Sequence, residues 1–180
     1  MISLVPGSNL QEGEVAEATD DLNRAAEGLD VKRDDARAAA AELADQHVFF
    51  ETRAGYAKEM TTGFIRLGGI TVGIFGNTQK CDDRDDGNQL TVNGAYKAAD
   101  FVRFCDAFDI PLLSLTNVAS YEASLYAEKA LGQAAARLIY ALASASAPKI
   151  NVITKKAVGT AFLAMNAKSV GADLTFALPD

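Results

Sequence analysis

The sequence contains no tryptophan, one histidine, two cysteines and four prolines among its 180 residues. Each scarcity rules something out. Two cysteines, Cys81 and Cys105, are too few to staple a disulfide scaffold, and they read as reduced thiols of a cytoplasmic protein. His47 has no second histidine and no nearby cysteine to share a metal with. It reads as an ordinary residue at a helix end, and no metal is expected. No apolar run approaches the ~20 residues that a bilayer span needs, so direct membrane insertion is not expected. The first residues lack the basic-then-apolar pattern of a secretory leader. Basic clusters are missing as well. With a net charge of −7, nothing is placed to neutralise a phosphate backbone, and nucleic acid is excluded as a partner.

What is present is apolar material for one core, 49% of the residues. Residues 1–31 are polar and acidic, broken by Pro6, Gly7 and Asn9, and read as an arm or linker with a short helix at Asp20–Gly28. A domain over 32–180 follows. Alanine-rich Arg33–Asp45 should be helical, and Val48–Glu51 a short strand. Thr61–Leu67 and Ile70–Phe75, separated by Gly68-Gly69, carry the signal of a hairpin. Cys81–Gln89 is a charged loop. Its calcium-loop spacing, counted from Asp82, puts Arg84 at a ligand position and Asn93 where a glutamate belongs, so it reads as solvated.

From Thr91 onward the rhythm is strand and helix in turn. Asn93–Phe108 has apolar residues at helical spacing and ends before Pro111. Leu112–Thr116 is a buried strand, Ala123–Ala147 a long helix, and Asp173–Ala177 a last strand. Such units imply parallel pairing, and the fold class is α/β. Between the last two lies Pro148–Met165. Ile150–Thr154 is a β-branched strand, and a helix begins near Gly159 or Thr160. Helix-start N–H groups lack internal partners and sit at the positive end of the dipole, so small residues there can form an oxyanion hole from main chain alone. The same pattern is more often an ordinary strand–helix junction of an α/β domain.

Several blocks together resemble the carboxyltransferase subunits of biotin-dependent acyl-CoA carboxylases, in their propionyl-CoA and methylmalonyl-CoA branch. They are Phe49-Phe50-Glu51, Gly55-Tyr56-Ala57, Thr62-Gly63-Phe64, Val72-Gly73-Ile74, the run from Lys97 to Pro111 with Arg103-Phe104-Cys105-Asp106-Ala107-Phe108-Asp109-Ile110-Pro111, Pro148-Lys149-Ile150, Met165–Lys168 and Gly171-Ala172-Asp173. Ile2–Asn9 resembles the tail of the preceding half-subunit. The resemblance implies a crotonase-like ββα spiral, here the C-terminal, biotin-side half, truncated before its last helices. Both ends look cut from something longer.

The resemblance also implies a site. Where the family usually reads Ala-Tyr-Gly-Gly-Ala-Tyr, this chain has Ala157–Phe162. The N–H groups of Thr160 and Ala161 then form the oxyanion hole for the biotin ureido oxygen, with Gly159, Tyr121, Phe75 and Asn77 as cofactor-binding residues. Thr160 stands where the family has glycine. Asn117-Val118-Ala119-Ser120-Tyr121 stands where it has Asp-Val-Pro-Gly-Phe. The implied cofactors are carboxybiotin on a carrier and a coenzyme A thioester. The implied partners are an N-terminal carboxyltransferase half, a biotin carboxyl carrier protein and a biotin carboxylase, in a homo-oligomer. Alternatives left open are the corresponding subunit of a sodium-pumping acyl-CoA decarboxylase and a non-catalytic assembly domain. The isolated fragment is expected to be inactive.

Overall fold

The computed structural model describes residues 4–11, 13, 15–18, 20, 21, 23–78, 80, 81, 84, 85 and 88–179. Asp82, the start of the calcium-loop spacing, and Ile2 lie outside them. Helix α1 (Leu29–Lys32) leads into α2 (Ala36–Leu43) and a 3₁₀ turn at Asp45–His47. Strands β1 (Phe50–Glu51), β2 (Met60–Leu67) and β3 (Ile70–Asn77) follow, with short strands β4 (Lys80–Cys81), β5 (Arg84–Asp85) and β6 (Gln89–Leu90). Then come α3 (Val92–Ala107), β7 (Leu112–Val118), β8 (Ser120–Tyr121), α4 (Leu125–Ser144), β9 (Lys149–Ala157), α5 (Gly159–Ala164) and β10 (Leu174–Ala177).

The main sheet has the order β1-β2-β3-β7-β9-β10. Its first three strands are antiparallel, and β3, β7, β9 and β10 are parallel. Because side chains alternate across a strand, neighbours in sequence serve opposite faces. Phe64 and Phe75 pack with α3 and α4, whereas Ile65 and Ile74 pack with α2. Two cores therefore sandwich one sheet.

Capping explains several boundaries. Asp35 accepts hydrogen bonds from the N–H groups of Arg37 (2.9 Å) and Ala38 (3.3 Å), so α2 starts at Ala36 and not at Arg33. Ser124 accepts from Ala127 N–H at 3.0 Å and delays α4 to Leu125. Among the described residues of Asp20–Gly28 the expected helix does not form. Instead Arg24 reaches across and donates to the carbonyls of Glu42, Leu43 and Ala44, which closes the C-terminal end of α2. The Cys81–Gln89 loop is partly extended, with β4 and β5 paired antiparallel. The β2–β3 turn has Gly68 and Gly69 at φ 58° and 80°. Buried Asp45 accepts from both of their N–H groups, at 3.1 and 2.9 Å.

Asp45 is thus the residue that anchors the hairpin turn. Asp45→Ala leaves two turn N–H groups without their acceptor and should lower unfolding free energy by about 1–3 kcal/mol in a denaturant titration.

Candidate functional site

In an open parallel sheet, ligands gather beyond the carboxyl ends of the strands. Here β7 and β9 end together, with Val118 level with Ala157 after a register shift at Thr116–Val118. Val158 N–H donates back to the Val118 carbonyl at 3.1 Å. The chain then turns sharply at Gly159, whose φ is 61°, and enters α5. The helix bond from Phe162 N–H to Val158 carbonyl measures 3.3 Å, so the N–H groups of Gly159, Thr160 and Ala161 precede any intrahelical acceptor. A Cβ built on Gly159 meets no atom within 4 Å, and the Thr160 side chain is exposed. Gly159 and Thr160 thus face open space, whereas Ala161 is buried at 2% exposure.

Two contacts hold the turn in place. Tyr121, at the end of β8, donates its hydroxyl to the Thr160 carbonyl at 3.0 Å. Burial pushes its phenol above the usual value, against the opposing effect of that bond, so it stays a neutral donor. At the other end of α5, a buried polar ladder ties the helix to the sheet. Asn166 Nδ2 donates to Ser114 Oγ at 3.0 Å. Thr116 Oγ1 has one proton to give and lies within hydrogen-bond distance of two acceptors, Asn151 Oδ1 at 2.8 Å and the Met165 carbonyl at 3.2 Å.

Of the six sequence candidates, four converge: Gly159, Thr160, Ala161 and Tyr121. Phe75 does not join them. Its side chain is fully buried in the core beneath α3, where it has no surface to offer a ligand, because both faces of β3 are covered. Asn77 ends β3 and pairs with Met60. Its level on the sheet is four residues short of the end of β9, by the registers of β3, β7 and β9. It is buried with neither amide atom hydrogen-bonded.

Sequence reasoning missed Asn117 and Lys97. Asn117 is buried and bonded to three segments of the chain. Lys97, also buried, donates to the carbonyls of Tyr56 (2.8 Å) and Ala57 (3.3 Å), and burial lowers its pKa. Lys97 borders a pocket of about 230 Å³ with Thr62, Phe64, Asp100, Phe101 and Phe104. None of the six sequence candidates lines that pocket. A polar residue inside an apolar helical stripe, as Lys97 is in α3, is the signal that could have marked it. Burial also raises the Cys105 thiol, which makes it inert core and not a nucleophile. Among the described residues no group of three His, Cys, Asp or Glu is placed to hold a metal, and no helix is long and apolar enough to cross a membrane.

An antiparallel hairpin leading into a parallel sheet, with a helix-start turn at its carboxyl edge, is an α/β arrangement of the crotonase-like class. The carboxyl transferase domain family matches residues 1–180, and the chain belongs to that family. It is 41% identical over 160 residues to a putative propionyl-CoA carboxylase beta chain of Bacillus subtilis, covering 88% of this chain and 31% of that protein. Identity to the methylmalonyl-CoA carboxyltransferase 12S subunit of Propionibacterium freudenreichii is 33%, over 99% of this chain and 35% of that protein. A crystal structure of transcarboxylase 12S, a hexamer with hydrolysed methylmalonyl-coenzyme A bound, superposes with a TM-score of 0.89 at 32% identity, covering 98% of this chain and 35% of that one. The beta subunit of P. aeruginosa geranyl-CoA carboxylase shares the fold, with a TM-score of 0.76 at 23% identity. The chain spans about a third of the length of these relatives.

A core role for Phe75 has a direct test. Phe75→Ala should lower unfolding free energy by about 3–5 kcal/mol, the cost of a large buried side chain and the cavity it leaves. A ligand-contact role without a core role would leave the denaturant midpoint unchanged.

Proposed function

We propose that this chain is the biotin-side part of a carboxyltransferase subunit, which moves a carboxyl group from carboxybiotin to a short acyl-CoA. The observation that carries the reading is the turn at Gly159–Ala161, where main-chain N–H groups that precede the first helix bond stand at the positive end of α5 in a chain of the carboxyl transferase family. The donor set suits the group it would meet. A ureido oxygen is a small acceptor that gathers negative charge, and the open space at Gly159 leaves room for its approach. When bound, biotin on its carrier supplies the transferable carboxyl group and the oxygen on which charge develops as that group leaves.

Thr160 and Ala161 would donate their N–H groups to that oxygen. Fixed donors aimed at developing charge lower a barrier without reorganising during the reaction. Tyr121 would hold the Thr160 carbonyl and so keep the peptide plane turned toward the ligand. The acyl-CoA would be carboxylated at its α-carbon through an enolate: the α-proton would pass to the biotin ureido group as its carboxyl leaves as CO2, and the thioester oxygen would be served by donors of an N-terminal half. Proton transfer then needs no acid–base side chain from this chain, in keeping with the buried, unreactive Cys105. A short acyl group is supported by relatives named for propionyl-CoA and methylmalonyl-CoA. The partners we assign are the N-terminal half, a biotin carboxyl carrier protein and a biotin carboxylase, within a homo-oligomer in the cytoplasm.

The test uses the full-length subunit that carries this chain, with a carboxybiotin carrier and acetyl-, propionyl- and butyryl-CoA. Carboxyl transfer to one of them is the expected result. Thr160→Pro deletes one N–H in the first turn, where proline fits a helix, and should lower kcat about 10²–10³-fold. Thr160→Gly keeps the N–H and should keep most of the activity. Equal kcat for the proline variant and the parent would refute the donor role.

A further inference from the structure

We propose that Asn117 is a positioning residue that aims the Gly159–Ala161 turn by clamping the end of the β7–β9 pair onto Asp34. The inference rests on the oxyanion role of that turn. Asn117 is 1% exposed, and its amide is saturated. Nδ2 donates to Asp34 Oδ1 at 3.0 Å and to the Arg33 carbonyl at 3.4 Å. Oδ1 accepts from Asn88 Nδ2 at 3.0 Å and from Lys156 N–H at 3.2 Å. The side chain thus joins the α1–α2 turn, the segment before β6, and β9.

Lys156 is the last residue but one before Val158, whose N–H bonds to Val118 next to Asn117. The clamp therefore fixes β9 immediately before the chain reverses at Gly159. Asp34 is gripped by β9 as well, since Lys155 Nζ donates to its Oδ1 at 3.0 Å and its Oδ2 at 2.7 Å. Thr154 Oγ1 adds a bond of 3.3 Å to the Arg33 carbonyl. Burial alone would raise the Asp34 pKa, but the hydrogen bonds from Lys155 and Asn117 outweigh it and hold the carboxyl below its ordinary value. Asp34 is a carboxylate at neutral pH. Position 117 must therefore donate to Asp34 while accepting from Lys156, and an amide does both. A carboxylate at 117 would face Asp34 across a hydrogen-bond distance with like charge.

The deciding experiment compares Asn117→Asp with the double variant Asn117→Asp, Asp34→Asn in the full-length subunit. The readouts are kcat and KM for carboxyl transfer to propionyl-CoA, and amide hydrogen exchange over residues 156–162. Asn117→Asp should lower kcat about 10²-fold, the scale of a small misplacement of a reacting group, with KM unchanged. It should also speed exchange at Val158. The double variant restores the donor–acceptor pair with its polarity reversed and should recover both. Parent-like kcat and exchange in Asn117→Asp, or a loss the second substitution does not reverse, would overturn the clamp. Should Asn117→Asp fail to fold, Asp34→Ala removes the acceptor from a half-buried position, and faster exchange at Val158 is expected. Unchanged exchange there also overturns the proposal. If the parent subunit transfers no carboxyl group, the functional reading fails while the exchange measurements still decide the clamp.

Discussion

The parallel pairing of β7 with β9 is the constraint on which the site depends. It lines up Ser114, Thr116 and Asn151 inside the sheet, where an apolar core would leave nothing to grip the following helix. Helix α5 has six residues, too few to be stable by itself. Its order comes from buried Ala161, Ala164 and Met165 and from the hydrogen bonds of Met165 and Asn166 to the ladder. The rigidity of the N–H groups at its start is therefore borrowed from the sheet. Buried polar groups are costly unless satisfied, and here most bond to one another and to the helix end, while Asn151 Nδ2 and Asn166 Oδ1 have no hydrogen-bond partner.

This arrangement suits chemistry carried by main chain. Backbone donors have no pKa in the working range and no rotamers, so their aim is set by the fold alone. Tyr121 and Asn117 bond to backbone on either side of the turn, at the Thr160 carbonyl and the Lys156 N–H. The single histidine lies elsewhere, at the end of the 3₁₀ turn after α2, with Nδ1 3.2 Å from the Ala41 carbonyl.

Much of this was legible in the sequence because it is local. The β-branched run at Ile150–Thr154, a small residue at Gly159 and apolar spacing after it are enough to write strand, turn and helix. The Gly68-Gly69 hairpin was legible for the same reason. Phe75 was not, because β3 is covered on both faces and its buried residues form one run with no alternation to separate core from ligand surface. Asn117 was hidden for a different reason. Its partners Asp34 and Arg33 lie more than eighty residues away in sequence, and an asparagine at a strand end looks like loop chemistry until the fold folds that segment over it. The arm at residues 1–31 was read as a linker because it is polar, yet Arg24 is recruited to the end of α2 and Leu4 and Val5 pack on the core.

Threonine stands at position 160 where the family has glycine, and the backbone angles show which of positions 159 and 160 requires glycine. A sharp turn of this kind needs one left-handed residue, and that residue is Gly159 at φ 61°. A side chain there would cost roughly 1–2 kcal/mol through Cβ–carbonyl crowding, although the space around it is open. Position 160 is already inside the first turn of the helix, where any residue but proline keeps its N–H. The Thr160 side chain is exposed and its carbonyl is held by Tyr121. The conformational demand for glycine thus falls on 159, which keeps it, and threonine at 160 retains its main-chain N–H.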